Sequence, residues 1–153
     1  MIYFIRGDDM LTNIKAAIFD MDGTLIDSMW VWDSIDSIYL EKRGFSVPLN
    51  LRSDIIHLSF EATALYFKNK FNLTDSIEEI QDEWNSLAYI EYANNVELKP
   101  YAKEYLVTLK NQGIKLSIAT SNCMMLLETV LKKYKIYEKE VKECIDWRSY
   151  YIK

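Results

Sequence analysis

The sequence predicts an α/β protein: an incomplete parallel sheet with an all-helical segment inserted after its first strand. Three observations carry this. An apolar run over 14–19 stops at two spaced aspartates and a glycine, and a second over 114–119 stops at Thr120-Ser121-Asn122. Between them, residues 29–96 show helical periodicity and no strand pattern. Strands that alternate with helices assemble into parallel sheets, because each crossover returns the chain to the same end.

The first run, Ile14-Lys15-Ala16-Ala17-Ile18-Phe19, is short and nearly all apolar. It reads as a strand buried on both faces. Asp20 and Asp22 follow at i and i+2, positions that project to one side of an extended chain. They sit at the carboxyl end of the strand, where open α/β sheets bind ligands. Gly23 then allows a sharp backbone turn. Asp27 or Ser28 caps a helix that runs to about Arg43 and stops at Gly44. Val31, Ile35, Ile38 and Tyr39 form its apolar stripe, widened by Trp30 and Trp32.

Pro48 and Asn50 break the chain before a short helix over 51–58. Ser59 caps the next, over 60–71, with Ala64, Leu65 and Phe67 among its apolar residues. Ser76 and Glu79 have capping-box spacing. Ile77, Ile80, Trp84 and Leu87 carry the following helix to about Asn94-Asn95. Lys99-Pro100 closes the insert. A helix over 101–111 turns Tyr105, Leu106 and Leu109 inward and stops at Gly113. The strand over 114–119 and a helix over 124–134 complete the order, with Met124 and Met125 read as packing residues.

Composition narrows the function classes. Half of the 153 residues are hydrophobic and 27% are charged, enough for one core with a small appended module. A net charge of −5 with scattered lysines offers no nucleic-acid surface. Cys123 and Cys144 are too few for a disulfide framework and lack metal-site spacing, which suits a reduced, cytoplasmic setting. The opening run Met1-Ile2-Tyr3-Phe4-Ile5-Arg6 is too short for a signal peptide or membrane span. Residues 1–13 read as an extension, and Met10 is an alternative start.

The stretch Asp20-Met21-Asp22-Gly23-Thr24 admits three readings. A calcium loop wants acids at positions 1, 3 and 5 and glycine at 6, whereas glycine falls here at the fourth position. A solvated turn ending a strand is the plain alternative. The third reading is a resemblance: DxDGT, an apolar residue, and Asp27-Ser28 resemble the first motif of the haloacid dehalogenase superfamily. The strand ending in Thr120-Ser121-Asn122 is similar to that family's second motif, and the likeness covers about residues 14–137. The placement of the insert resembles the helical-cap branch, which includes phosphoglycolate phosphatase-like and β-phosphoglucomutase-like enzymes.

That resemblance implies a Rossmann-like core over 14–28 and 97–137, incomplete, with a helical cap over 29–96. It also implies a chemistry. Asp20 would be a nucleophile forming an aspartyl-phosphate, which splits one hard step into two easier ones. Asp22 would protonate the leaving oxygen and then activate water. Neighbouring carboxylates push their pKa values apart, which suits one ion and one acid. Magnesium is the implied cofactor, held by Asp20 and by the main-chain carbonyl of Asp22. Gly23, Thr24, Thr120, Ser121 and Asn122 would bind the phosphoryl group of a small phosphorylated metabolite. For Thr120-Ser121-Asn122 a plain helix N-cap is the alternative. His57, the lone histidine, reads as structural or solvated, and Trp30, Trp32 and Trp84 as core.

Residues 138–153 depart from the family pattern. The lysine motif and the later acidic pair of the family are not recognisable there, and nothing around Lys153 matches. The expectation is a shortened member with an atypical tail foreign to the fold, for which a reading-frame change or early stop would account. The first strand, central in the family sheet, would then keep one unpaired edge open to self-association. A phosphatase, a phosphomutase, and a catalytically impaired remnant or phosphate-binding module all remain open.

Overall fold

The structure, a computed structural model, describes residues 14–136 and 143–146. In chain order its elements are β1 (Ala16–Asp20), α1 (Met29–Lys42), α2 (Leu51–Ile55), α3 (Phe60–Lys70), α4 (Ile77–Asn94), α5 (Ala102–Asn111), β2 (Lys115–Thr120), α6 (Met124–Tyr134) and β3 (Glu143–Asp146). They fall into two compact units, one of Met1–Met29 with Tyr92–Lys153 and one of Trp30–Glu91.

The first unit holds a parallel sheet of order β1-β2-β3. Register pairs Asp20 with Ala119 and Thr120 with Asp146, so the carboxyl ends of all three strands reach one edge. Leu106 and Leu109 of α5, Leu116 and Ile118 of β2, and Leu126, Leu127, Val130 and Leu131 of α6 form its buried core. β2 is thus well covered. β1 is not: Ile18 is 63% exposed, and Ala16 and Asp20 are exposed beside it. The expected burial on both faces therefore fails. An apolar run specifies a strand, but burial depends on its neighbours, and among the described residues β1 has only β2 beside it.

Other packing expectations change for a related reason. Tyr105, Met124 and Met125 are exposed, because the inward faces of α5 and α6 are filled by leucines and valine one position round. Tyr105 meets Phe19 edge-on at 6.2 Å. The tail beyond Glu138, expected to be foreign to the fold, contributes β3 as a third parallel strand. A four-residue strand with an acidic residue at each end carries little intrinsic signal, and pairing with β2 decides it. Lys153 lies outside the described residues.

The second unit is helical throughout. Local chemistry sets its helix starts: Ser59 Oγ accepts from the Ala62 N–H at 3.2 Å. The Ser76 N–H donates to Glu79 Oε2 at 2.7 Å while the Glu79 N–H donates to Ser76 Oγ at 3.1 Å, a complete capping box. Gly44, at φ +78°, ends the segment after α1 in the left-handed region. Trp84 is buried against Tyr39, Phe60 and Phe67, with ring centroids 5.7, 5.6 and 4.9 Å away. Trp30, Ile38 and Leu65 are exposed, so the stripes are narrower than the sequence suggests. Arg43 joins α1 to α4, donating to Glu83 Oε2 at 2.7 Å and to Asp75 Oδ2 at 3.3 Å, with its guanidinium 3.7 Å from the Tyr39 ring centre. No described helix is long and apolar enough to cross a membrane.

Asp36 on α1 gives this unit a pH dependence. Burial, reinforced by Asp33 and opposed by Arg52, pushes its carboxyl from 3.8 up to about 7. Between those values the folded chain holds a proton that the unfolded chain has released. The associated stability is full below the unfolded value and is lost as pH rises through about 7. Asp36→Asn is expected to remove that slope and raise stability at pH 8 by on the order of 2 kcal/mol. Urea midpoints of both proteins at pH 5 and pH 8 measure this, and identical slopes would refute it.

Candidate active site

Asp20 is the last residue of β1, and its neighbour on β2 is followed at once by Thr120. Beyond Asp20 the chain folds into a tight turn. The N–H groups of Leu25 and Ile26 donate to the Met21 carbonyl at 2.9 and 3.1 Å, and the Gly23 N–H donates to the Ile26 carbonyl at 2.9 Å. Met21, Leu25 and Ile26 are buried and anchor the turn. The returning segment holds it from the other side: the Asp27 N–H donates to Glu97 O at 2.8 Å, and the Lys99 N–H to Leu25 O at 2.9 Å. Lys99 Nζ also pairs with Asp27 Oδ1 at 2.6 Å.

Gly23 is required here on two counts. Its φ of +71° lies in the left-handed region, and a Cβ would stand 3.1 Å from Met29 Cγ and Sδ.

The two aspartates occupy different environments. Asp20 is exposed, and its Oδ2 accepts from Thr24 Oγ1 at 3.4 Å. Asp22 is half-buried and heavily hydrogen-bonded. Its Oδ1 accepts from Ser28 Oγ at 2.6 Å and from the Tyr92 hydroxyl, and its Oδ2 accepts from Asn122 Nδ2 at 2.6 Å. Burial pushes the Asp22 carboxyl up, the Ser28 and Tyr92 bonds pull it down, and Asp20 pushes it up again. Tyr92 is raised as well, first by burial and then by the Asp22 charge.

Thr120 is buried, accepts from the Asn122 N–H at 3.1 Å, and is hydrogen-bonded to Asp22. Asn122 turns its side-chain amide to Asp22 and also to the Tyr92 oxygen at 3.0 Å. Ser121 is exposed in the turn before α6. The N-cap position of α6 is Cys123, without a side-chain cap, so neither Ser121 nor Asn122 is a plain N-cap. His57 is exposed on the helical unit.

The structure thus brings Asp20, Asp22, Gly23, Thr24, Thr120 and Asn122 to one strand-end cluster, and adds Ser28 and Tyr92. Ser28 is adjacent to the motif and could be read from it. Tyr92 was hidden, since it continues the buried stripe of Ile80, Trp84 and Ala88 at four-residue spacing and so looks like core.

The donor set suits a hard divalent cation. Asp20 presents an exposed carboxylate, and magnesium is commonly held by one or two carboxylates with water and phosphate oxygens completing its shell. Among the described residues no group of three His, Cys, Asp or Glu residues gathers.

The model of one protein family, described as haloacid dehalogenase-like hydrolase, matches residues 17–142. Hexitol phosphatase B of Escherichia coli K12 is 28% identical over 129 residues, covering 79% of this chain and 55% of its own length. The Drosophila melanogaster protein named "Probable pseudouridine-5'-phosphatase" is 25% identical over 122 residues, covering 80% and 52%. This chain therefore spans about half the length of those relatives. Among solved structures, CbbY of Rhodobacter sphaeroides in complex with phosphate superposes with a TM-score of 0.72 at 16% identity, over 87% of this chain and 63% of that one, a likeness of fold.

Proposed function

From its membership of the haloacid dehalogenase-like hydrolase family, we propose that this chain carries the nucleophile and acid–base half of a phosphatase site for a small phosphorylated metabolite. The observation that carries the reading is the contrast between Asp20, exposed at the end of β1, and Asp22, two residues on, half-buried with its carboxyl pushed up by burial. A nucleophile needs access and an unprotonated oxygen. A general acid needs a carboxyl that holds its proton toward neutral pH.

In the proposed reaction an Asp20 oxygen attacks phosphorus while the bond from phosphorus to the leaving oxygen breaks. Asp22 gives that oxygen its proton. Water then loses a proton to Asp22 and attacks phosphorus, the bond to Asp20 breaks, and inorganic phosphate leaves. The Thr24 and Thr120 hydroxyls and the turn at Gly23 shape the phosphoryl position. Magnesium, which the Asp20 carboxylate and the Asp22 main-chain carbonyl would hold, neutralises phosphoryl charge when bound.

A phosphomutase would use the same two aspartates and differ only in its acceptor. Phosphate release from p-nitrophenyl phosphate is expected to require magnesium, to vanish with excess EDTA and to return on adding magnesium back. Strict dependence on a bisphosphorylated sugar would replace hydrolase by mutase. Binding of a phosphate analogue without turnover would leave a phosphate-binding module in place of an enzyme.

A further inference from the structure

The segment Trp30–Glu91 is inserted in sequence between two stretches of the core unit, and each stretch carries, near the insertion point, a residue that hydrogen-bonds Asp22 within that unit. Ser28 lies just before the insert and Tyr92 just after it, and both donate to the same Asp22 oxygen, Oδ1. Both residues are fully buried. Resting on the phosphatase reading above, we propose that Tyr92 is a positioning residue that, with Ser28 and Asn122, fixes the orientation of the Asp22 carboxylate for proton transfer.

The hydrogen-bond directions follow from donor counting. The two amide hydrogens of Asn122 Nδ2 go to Asp22 Oδ2 and to the Tyr92 oxygen, at 2.6 and 3.0 Å. Tyr92 has a single hydroxyl proton and already accepts from Asn122, so that proton goes to Asp22. Asp22, Tyr92 and Asn122 therefore close a ring in which each member fixes the other two. Ser28 adds a donor at 2.6 Å from outside the ring. A carboxylate gripped at both oxygens cannot rotate about its Cβ–Cγ bond, and effective proton transfer depends on that orientation. Tyr92 is 70 residues from Asp22 and Asn122 is 100, so the ring ties the end of α4 to the turns after β1 and β2.

Tyr92→Phe deletes one donor and keeps the ring. Tyr134→Phe is the control, since that hydroxyl donates to the Val96 carbonyl at 2.7 Å and does not contact Asp22. The expected result for Tyr92→Phe is a fall of roughly tenfold or more in kcat/KM for an alkyl phosphate, β-glycerophosphate. For p-nitrophenyl phosphate, whose leaving group needs little protonation, the fall is expected to be smaller and KM to stay within about twofold. Tyr134→Phe is expected to change neither. Equal losses on both substrates, or no loss, would overturn the assignment.

The 13C resonance of the Asp22 carboxyl carbon supplies a readout without turnover. It is expected to move in Tyr92→Phe and stay put in Tyr134→Phe. Should the unsubstituted protein hydrolyse neither substrate, the phosphatase reading falls while the ring is judged on this resonance. An unmoved signal in Tyr92→Phe overturns the ring whatever the activity.

Discussion

Asp20→Asn is expected to lower magnesium-dependent phosphate release by about 10³-fold or more while leaving stability within about 0.5 kcal/mol. The amide keeps the shape of the carboxylate but lacks the charge and nucleophilicity that attack on phosphorus requires. Little stability is at stake, because the side chain is exposed and its contact with Thr24 is long, at 3.4 Å. Phosphate release and urea unfolding of the same preparations give both halves of the result. A variant retaining more than about a tenth of the rate would exclude Asp20 as nucleophile, given the size of the effect expected.

Trp84→Ala is expected to cost about 3–5 kcal/mol, the range for deleting a large buried aromatic side chain. Trp84 is 2% exposed and packs edge-on against Tyr39, Phe60 and Phe67, so its removal leaves a cavity bordered by α1 and α3. The neighbours that could collapse into the space are themselves large and mutually packed, with Phe67 also touching Tyr39 and Phe71. Its indole N–H has no hydrogen-bond partner among the described residues, so the whole loss is one of packing and apolar burial. Whole domains are stable by only about 5–15 kcal/mol, so this substitution would bring the helical unit close to unfolding. Chemical denaturation followed by far-ultraviolet circular dichroism checks it. A destabilisation under about 1 kcal/mol would mean that Trp84 is not the centre of this packing.

The helix starts were legible because their causes span only three or four residues. Ser59 reaches the Ala62 N–H, and Ser76 and Glu79 reach each other, whatever the rest of the chain does. The same locality made the site turn readable. Gly23, a glycine just past the strand end, reads as a sharp turn, and its left-handed φ agrees. The apolar stripes were legible in period but not in width. Val31, Ile35 and Tyr39 are buried as read, while Ile38 and Trp30 on the flanks of the same stripe are exposed. Periodicity locates the centre of a buried face, whereas its margins are decided by how closely the next helix approaches.

By itself the sequence determined which residues are candidates for the site: Asp20 and Asp22 two positions apart at a strand end, and the hydroxyl of Thr120 at another. Tertiary structure alone decided their environments. β1 reads as a buried strand yet leaves Ile18 exposed, because exposure is set by neighbouring elements. Tyr92 reads as one more core residue on the Ile80, Trp84 and Ala88 stripe, yet its hydroxyl grips Asp22. Residue type and spacing fix which groups can react. The orientation, burial and proton affinity of a carboxylate depend on donors brought from 70 and 100 residues away, and only the folded chain brings them there.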